Sequence, residues 1–178
     1  PKEEPSRTET PFKVVVESGP KAESNSANGI THQLADGKNS KPGWKLIESK
    51  WYYYDHADKV KTGWVKDGAW YYLDESGVMK TGWQKVNGTW YYLDNSGAMQ
   101  TGWIDQGGSW YYLNDSGVMQ TGWVNQGDTW YYLDNSGTMK TGWFQVEDKW
   151  YYSYPSGALA VNTTIDGYAV NADGEWIQ

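Results

Sequence analysis

Two series of tryptophans run through this chain at a fixed offset. The first comprises Trp44, Trp64, Trp83, Trp103, Trp123 and Trp143, and the second Trp51, Trp70, Trp90, Trp110, Trp130 and Trp150. From Trp64 on, the first Trp follows Thr-Gly, as in Thr81-Gly82-Trp83, while the second opens Trp-Tyr-Tyr, as in Trp90-Tyr91-Tyr92. The whole chain holds 13 Trp and 15 Tyr against two Phe. Rings that carry an N–H or O–H are thus chosen over the purely apolar ring, which suits surfaces apolar on one side and wet on the other. Clustered electron-rich rings can capture a cation that has no N–H to donate. A quaternary ammonium cannot be selected by hydrogen bonds, but ring quadrupoles and apolar contact with its methyl groups attract it, and Trp is the best ring for this. At about 0.5–2 kcal/mol per contact, three rings give a few kcal/mol gross, so one site is weak once ordering costs are met. On a polymer bearing many such groups, repetition of weak sites adds avidity of about 10²–10⁴ without any new contact.

The rings need elements to hold them, and a period of about 20 residues supplies these. Between the two Trp of a unit lie polar stretches with turn chemistry, such as Val86-Asn87-Gly88-Thr89 and Gln106-Gly107-Gly108-Ser109. Asn-Gly and Gly-Gly pairs between aromatic runs predict tight hairpins, because such turns need positive φ. The unit between Trp64 and Trp70 is one residue short. Each hairpin is followed by a connector such as Asp94-Asn95-Ser96-Gly97-Ala98-Met99, rich in Asx and Gly turn residues. A single hairpin is marginal in water, so neighbours must stack, and the expected fold is an all-β solenoid of stacked hairpins.

Alternation along a strand splits Trp90-Tyr91-Tyr92-Leu93 into two faces, Trp90 with Tyr92 and Tyr91 with Leu93. Tyr91 and Leu93 are expected as core, with Trp90 and Tyr92 turned toward the joints and Trp83 beside Trp90 on the facing strand. Each joint would then offer two Trp from one hairpin, a Tyr from the next and the connector Met as a soft floor. Met79, Met99, Met119 and Met139 could equally be packing filler, since Met serves both purposes.

The remaining sequence narrows the function classes. The formal charge of −7 argues against a duplex nucleic-acid binder, which needs a basic face, and is permissive for a cationic ligand. There is no Cys, which removes a disulfide framework and Cys-based zinc sites. No apolar run approaches the roughly 20 residues of a membrane helix, and the start at Pro1 reads as a mature form whose leader, if any, is gone. Residues 1–41 are rich in Pro, Ser, Glu, Lys and Asn and are expected to be a low-complexity, weakly ordered segment, with residues 12–16 as its candidate strand. Residues 42–178 are expected to form a repeat module of six hairpins plus a C-terminal capping hairpin through Asp166-Gly167-Tyr168. Asp94-Asn95-Ser96-Gly97 lacks the spacing and terminal Glu of a calcium loop. His32 and His56 have no partner in phase with the repeat, and no nucleophile–base set, paired acids or metal-ligand spacing stands out. The chain is therefore expected to be noncatalytic, without metal or cofactor.

The recurring Thr-Gly-Trp, Trp-Tyr-Tyr-Leu and Ser-Gly-x-Met elements resemble the cell-wall/choline-binding repeat of pneumococcal-type surface proteins and wall hydrolases. The ending Leu159-Ala160-Val161-Asn162-Thr163-Thr164 with Asp166-Gly167-Tyr168 also looks like the closing segment of surface proteins in that family. The resemblance implies hairpins in a left-handed superhelix, with choline or phosphocholine held between consecutive hairpins by two Trp from one and a Tyr from the next. Carried onto this chain, one set is Trp64, Trp70 and Met79 with Tyr92, and the next is Trp83, Trp90 and Met99 with Tyr112. Then come Trp103, Trp110 and Met119 with Tyr132, followed by Trp123, Trp130 and Met139 with Tyr152. Two imperfect sets complete the series: Trp44 and Trp51 with Tyr72, where Val60 replaces the Met, and Trp143 and Trp150 with Leu159 as floor and Tyr168 as closing ring.

The implied partners are choline-bearing teichoic and lipoteichoic acids of a Gram-positive wall. The resemblance further implies a secreted, cell-surface location, and leaves open an unknown protein partner for residues 1–41 and a choline-dependent pairing of two arrays. Two other classes stay open: the wall-targeting part of a cell-wall hydrolase, and a glucan-binding repeat, whose sugar sites would need polar side chains converging on hydroxyls.

Overall fold

The computed structural model describes Asn25–Ser26 and residues 43–178. The expectations for residues 12–16, and for a partner bound through residues 1–41, lie outside the described residues apart from that dipeptide. The described residues contain no helix and fifteen strands. Strand β1 (Asn25–Ser26) pairs antiparallel with β4 (Lys61–Asp67), Asn25 opposite Thr62. All other strand pairing is between sequence neighbours.

The hairpins are β2–β3 (Gly43–Ile47 and Lys50–Tyr54), β4–β5 (β5, Ala69–Leu73), β6–β7 (Gly82–Val86 and Thr89–Leu93) and β8–β9 (Gly102–Gln106 and Ser109–Leu113). They continue as β10–β11 (Gly122–Gln126 and Thr129–Leu133), β12–β13 (Gly142–Val146 and Lys149–Ser153) and β14–β15 (Thr163–Ile165 and Tyr168–Val170). We number them one to seven. The all-β, stacked-hairpin solenoid expected from the repeat is the observed fold. By contact density the chain divides into two compact units, one holding residues 43–101 with Asp115–Val118 and the other Gly102–Asn114 with Met119–Gln178.

The turn chemistry works as the sequence requires. Asn87 and Gly88 have φ of 49° and 81°, the two positive values of the tight turn whose twist matches the flanking strands. The sixth hairpin makes the same turn with Glu147 and Asp148, at 47° and 65°, and so carries side chains where the backbone favours Asn-Gly. In the second hairpin, where a residue is missing, Asp67 pairs with Ala69 and only Gly68 remains between them.

Each connector is a repeated hydrogen-bonded loop. Asp94 Oδ1 accepts the N–H groups of Ser96 at 2.9 Å and Ala98 at 3.0 Å, and also the Ser96 hydroxyl. Asp74 and Asp134 make the same two backbone bonds, and Asn171 makes the equivalent pair near the end of the chain. The connector then closes on its own hairpin through an isolated bridge such as Leu93 with Met99.

The same residue also ties the connector to the preceding hairpin. The Met79 N–H donates to the Trp51 carbonyl at 2.9 Å, Met99 to Trp70 at 2.7 Å, Met139 to Trp110 at 2.8 Å and Leu159 to Trp130 at 2.9 Å. Trp176 continues the series onto Trp150 at 2.8 Å. Within each unit these bonds fix the stacking register, so the repeat's backbone satisfies itself across neighbours.

The core is narrow. Leu73, Leu93, Leu113 and Leu133, the last residues of their Trp-Tyr-Tyr-Leu runs, are fully buried, as expected. Tyr91, expected beside Leu93 as core, is only half-buried and does different work.

Candidate functional site

The two faces of a hairpin strand serve two different neighbours. In the third hairpin the register sets Trp83 opposite Tyr92 and Lys85 opposite Trp90, so both Trp and Tyr92 share one face; Gln84 opposite Tyr91 occupies the other. The indoles of Trp83 and Trp90 stand perpendicular, 6.4 Å apart at 87°, and Tyr92 packs on Trp83 at 5.1 Å inside the same hairpin. Tyr91 points the other way and meets Trp64 of the preceding hairpin, edge to face at 4.8 Å.

The pattern recurs within the units: Trp44 meets Tyr71 at 4.8 Å, Trp103 meets Tyr131 at 4.9 Å and Trp123 meets Tyr151 at 4.9 Å. The second Tyr of each run, expected to close the preceding box, instead lies across its own hairpin. Tyr72 is on Trp64, Tyr112 on Trp103, Tyr132 on Trp123 and Tyr152 on Trp143, all at 4.9–5.2 Å. The physical reason is parity. A ring offered to the preceding hairpin must sit on the face opposite the Trp pair offered to the following one, and along Trp90-Tyr91-Tyr92 only Tyr91 does.

The floor shifts by one repeat for a related reason. A connector that bonds back to the second Trp of the preceding hairpin sets the backbone of its Met beside that earlier Trp. Met79 is tied in this way to Trp51 rather than to Trp70, and Met99 to Trp70. Met139 lines a cavity of about 350 Å³ with Trp103, Trp110 and Tyr131, rimmed by Pro155 and Ser156 of a later connector. Met119 and Tyr132, expected at that pair, are not in its lining. The Met is also packing: a Cβ on Gly97 would meet Met79 Sδ at 2.5 Å, and Gly117 and Gly137 stand in the same relation to Met99 and Met119. Met139 does both, since it lines that cavity and also fills the space a Cβ on Gly157 would need.

A second cavity, about 320 Å³, lies where the sixth hairpin meets the end of the chain, lined by Trp143, Trp150, Tyr168 and Trp176. Trp143 and Tyr168 are perpendicular at 5.9 Å, and Tyr168 and Trp176 perpendicular at 5.8 Å. Tyr168 was the ring expected there. Leu159, the expected floor, is buried elsewhere, in a cluster with Trp123, Phe144 and Tyr151. Trp176 replaces it. The sequence signal was available, since Trp176 follows Asn171-Ala172-Asp173-Gly174-Glu175 at the position a Met takes after other connectors.

The solvent-facing indoles are half-exposed, Trp110 at 42% and Trp150 at 41%. Their faces already attract cations: Lys66 Nζ lies 5.7 Å from the Trp70 ring centre and Lys85 Nζ 5.8 Å from that of Trp90. The Trp44 indole N–H donates to Asp67 Oδ2 at 2.9 Å, which sets a carboxylate at the edge of the first box. Burial raises the Tyr91 hydroxyl above its ordinary pKa.

The fifth hairpin departs from the series. Trp123 and Trp130 keep the perpendicular arrangement, at 6.5 Å and 85°. However, Trp123 is buried, and the expected partners do not form an open box around it: Tyr152 is on Trp143, Met139 is at the earlier cavity, and Phe144 occupies the joint. For the set of Trp83 and Trp90 the described geometry is the Trp pair itself.

Comparison with known families gives a match to the choline-binding repeat at residues 42–81, 80–121 and 120–163, together more than half of the chain. The chain belongs to the choline-binding repeat family. A solved structure of CbpJ from Streptococcus pneumoniae is 56% identical, covering 77% of this chain and 48% of its own, with a TM-score of 0.75. Choline binding protein F from Streptococcus pneumoniae, solved in the presence of a peptidoglycan analogue, is 57% identical over 80% of this chain and 48% of its own, with a TM-score of 0.76. The match thus spans about half the length of these relatives. The modular autolysin LytC of Streptococcus pneumoniae, at 24% identity, 80% and 39% coverage and a TM-score of 0.55, shares the fold. A comparison with curated proteins finds no match.

Proposed function

We propose that this choline-binding repeat chain is a noncatalytic attachment module that holds the trimethylammonium groups of choline-bearing wall polymers, teichoic and lipoteichoic acids, at a Gram-positive cell surface. The observation that carries this reading is the terminal cavity: four aromatic rings, two pairs of them perpendicular, around a space of about 320 Å³. Such a lining offers π faces and methyl contacts and few hydrogen-bond partners, which favours a methylated cation over a sugar. The proposed sites are Trp143, Trp150, Tyr168 and Trp176; Trp103, Trp110, Tyr131 and Met139; Trp64, Trp70, Tyr91 and Met99; and Trp44, Trp51, Tyr71 and Met79.

Family membership and the similarity to choline binding protein F support the ligand class. The repeat module is proposed to begin near residue 42, where the family match begins. Retention on a quaternary-amine resin and release by free choline, but not by glucan oligosaccharide at equal ionic strength, tests the reading. Release by the oligosaccharide would move the chain to the sugar-binding class, and release of wall fragments from choline-bearing cell walls by the purified chain would contradict a noncatalytic role.

A further inference from the structure

The residue after the first Trp of each hairpin sits opposite the first Tyr, on the face that meets the preceding hairpin; in the sixth hairpin Phe144 is opposite Tyr151. That position holds Lys45, Val65, Gln84, Ile104, Val124 and Phe144 in turn. At the joint between the fourth and fifth hairpins it is Val124, a small side chain buried with Tyr112 and Leu133, and the cavity beside Trp103, Trp110 and Tyr131 persists.

At the next joint the same position holds Phe144, whose ring packs among three others. Its ring stacks on Tyr132 at 5.3 Å and 15° and on Tyr151 at 5.9 Å and 23°, and lies 5.9 Å from Trp123. Phe144 is 5% exposed, Trp123 5% and Tyr151 0%. Leu159 completes the cluster, with Trp130 and Tyr132 packed against it.

We propose that the joint between the fifth and sixth hairpins is a closed rung in the ladder of cation sites, and that Phe144 is the residue that closes it. The proposal rests on the reading that the open boxes take a trimethylammonium group, and it removes Trp123 and Trp130 from that role. A bound methylated cation needs ring faces free to approach. Here the faces of Tyr132 and Tyr151 are stacked against a third ring, and displacing it would forfeit packed aromatic contacts and the burial of Phe144, which offsets what a few cation–π contacts return. The ligand's spacing along the array then has a gap, with the terminal box standing alone beyond it.

Counting bound choline per chain at saturation by equilibrium dialysis tests this with four variants of the full chain. Phe144→Val, which installs the residue found at 65 and 124, is expected to raise the count by one, and adding Trp130→Ala to it is expected to return the count to that of the unsubstituted chain. Trp130→Ala alone is expected to leave the count unchanged, whereas Trp150→Ala lowers it by one. Loss of one bound choline in Trp130→Ala would overturn the closed rung, even if Phe144→Val failed to fold. No gain in a folded Phe144→Val would overturn the assignment to Phe144. Should Trp150→Ala also change nothing, the parent reading of the boxes fails rather than the plug.

Discussion

Replacing Trp176 by Ala removes one wall of the terminal box while leaving the backbone tie intact, because the bond to the Trp150 carbonyl comes from the Trp176 N–H. Of the four rings lining that cavity, Trp176 contributes one face and holds Tyr168 perpendicular at 5.8 Å. One cation–π contact at a half-exposed site is worth about 0.5–2 kcal/mol, which corresponds to roughly 2- to 30-fold in dissociation constant. The assay is a choline titration followed by the indole N–H resonances, with Trp143 and Trp150 reporting the terminal box and Trp103 and Trp110 the box closed by Tyr131. In Trp176→Ala the terminal box weakens by that factor and the other is unchanged; Trp176→Phe, which keeps a ring, recovers most of the loss. Equal affinity at the terminal box in Trp176→Ala would refute the fourth wall. Parallel weakening of both boxes would show that the substitution acts on the fold.

Three further expectations concern stability. The Lys149 ammonium and the Glu175 carboxylate pair at 2.7 Å with side chains 8% and 15% exposed, so Glu175→Gln leaves a buried charge unpaired and should cost about 3 kcal/mol; it should appear as faster amide exchange at Trp176 and Ile177 and a lower melting temperature. The sixth hairpin turns through Glu147 and Asp148 at positive φ, so Glu147→Asn with Asp148→Gly should stabilise by about 1 kcal/mol, read as a higher urea midpoint at constant slope. The Ser96 hydroxyl, ahead of the Ala98 and Ser96 amides, holds Asp94 below the ordinary carboxylate pKa. A group whose folded pKa is depressed contributes stability that is present above the unfolded value and lost as pH falls through the folded one. The melting temperature should therefore fall as pH drops through and below the ordinary carboxylate range, and Ser96→Ala should make that acid limb shallower.

Most of the architecture was legible because one period repeats in phase. Asn87-Gly88 announced a turn, Trp-Tyr-Tyr-Leu a strand and Asp94 to Gly97 a connector of turn residues, and each is found so; the bonds to the Asp94 carboxylate are what the structure adds. The pairing of sites was less legible, since it depends on how one hairpin stacks on another. The alternation that put Tyr92 with Trp90 also required that the preceding neighbour receive Tyr91, but that step needs the direction of stacking as well as the strand. The Met assignment slipped by one repeat because the connector's backbone bond to the earlier Trp has no local signature in Ser-Gly-Ala-Met. Phe144 looked like an ordinary strand residue. Only its position opposite Tyr151, against Trp123, gives its size a consequence.

The central claim is that these ring-lined openings select a methylated cation and not positive charge in general. Tryptophan fluorescence titrated with choline and, at matched ionic strength, with ethanolamine tests it most directly, since the two ligands share charge and hydroxyl and differ in the three methyl groups. Choline at millimolar concentration is expected to change the emission saturably while ethanolamine leaves it nearly flat. An equal response to both, or none to choline, would contradict the account.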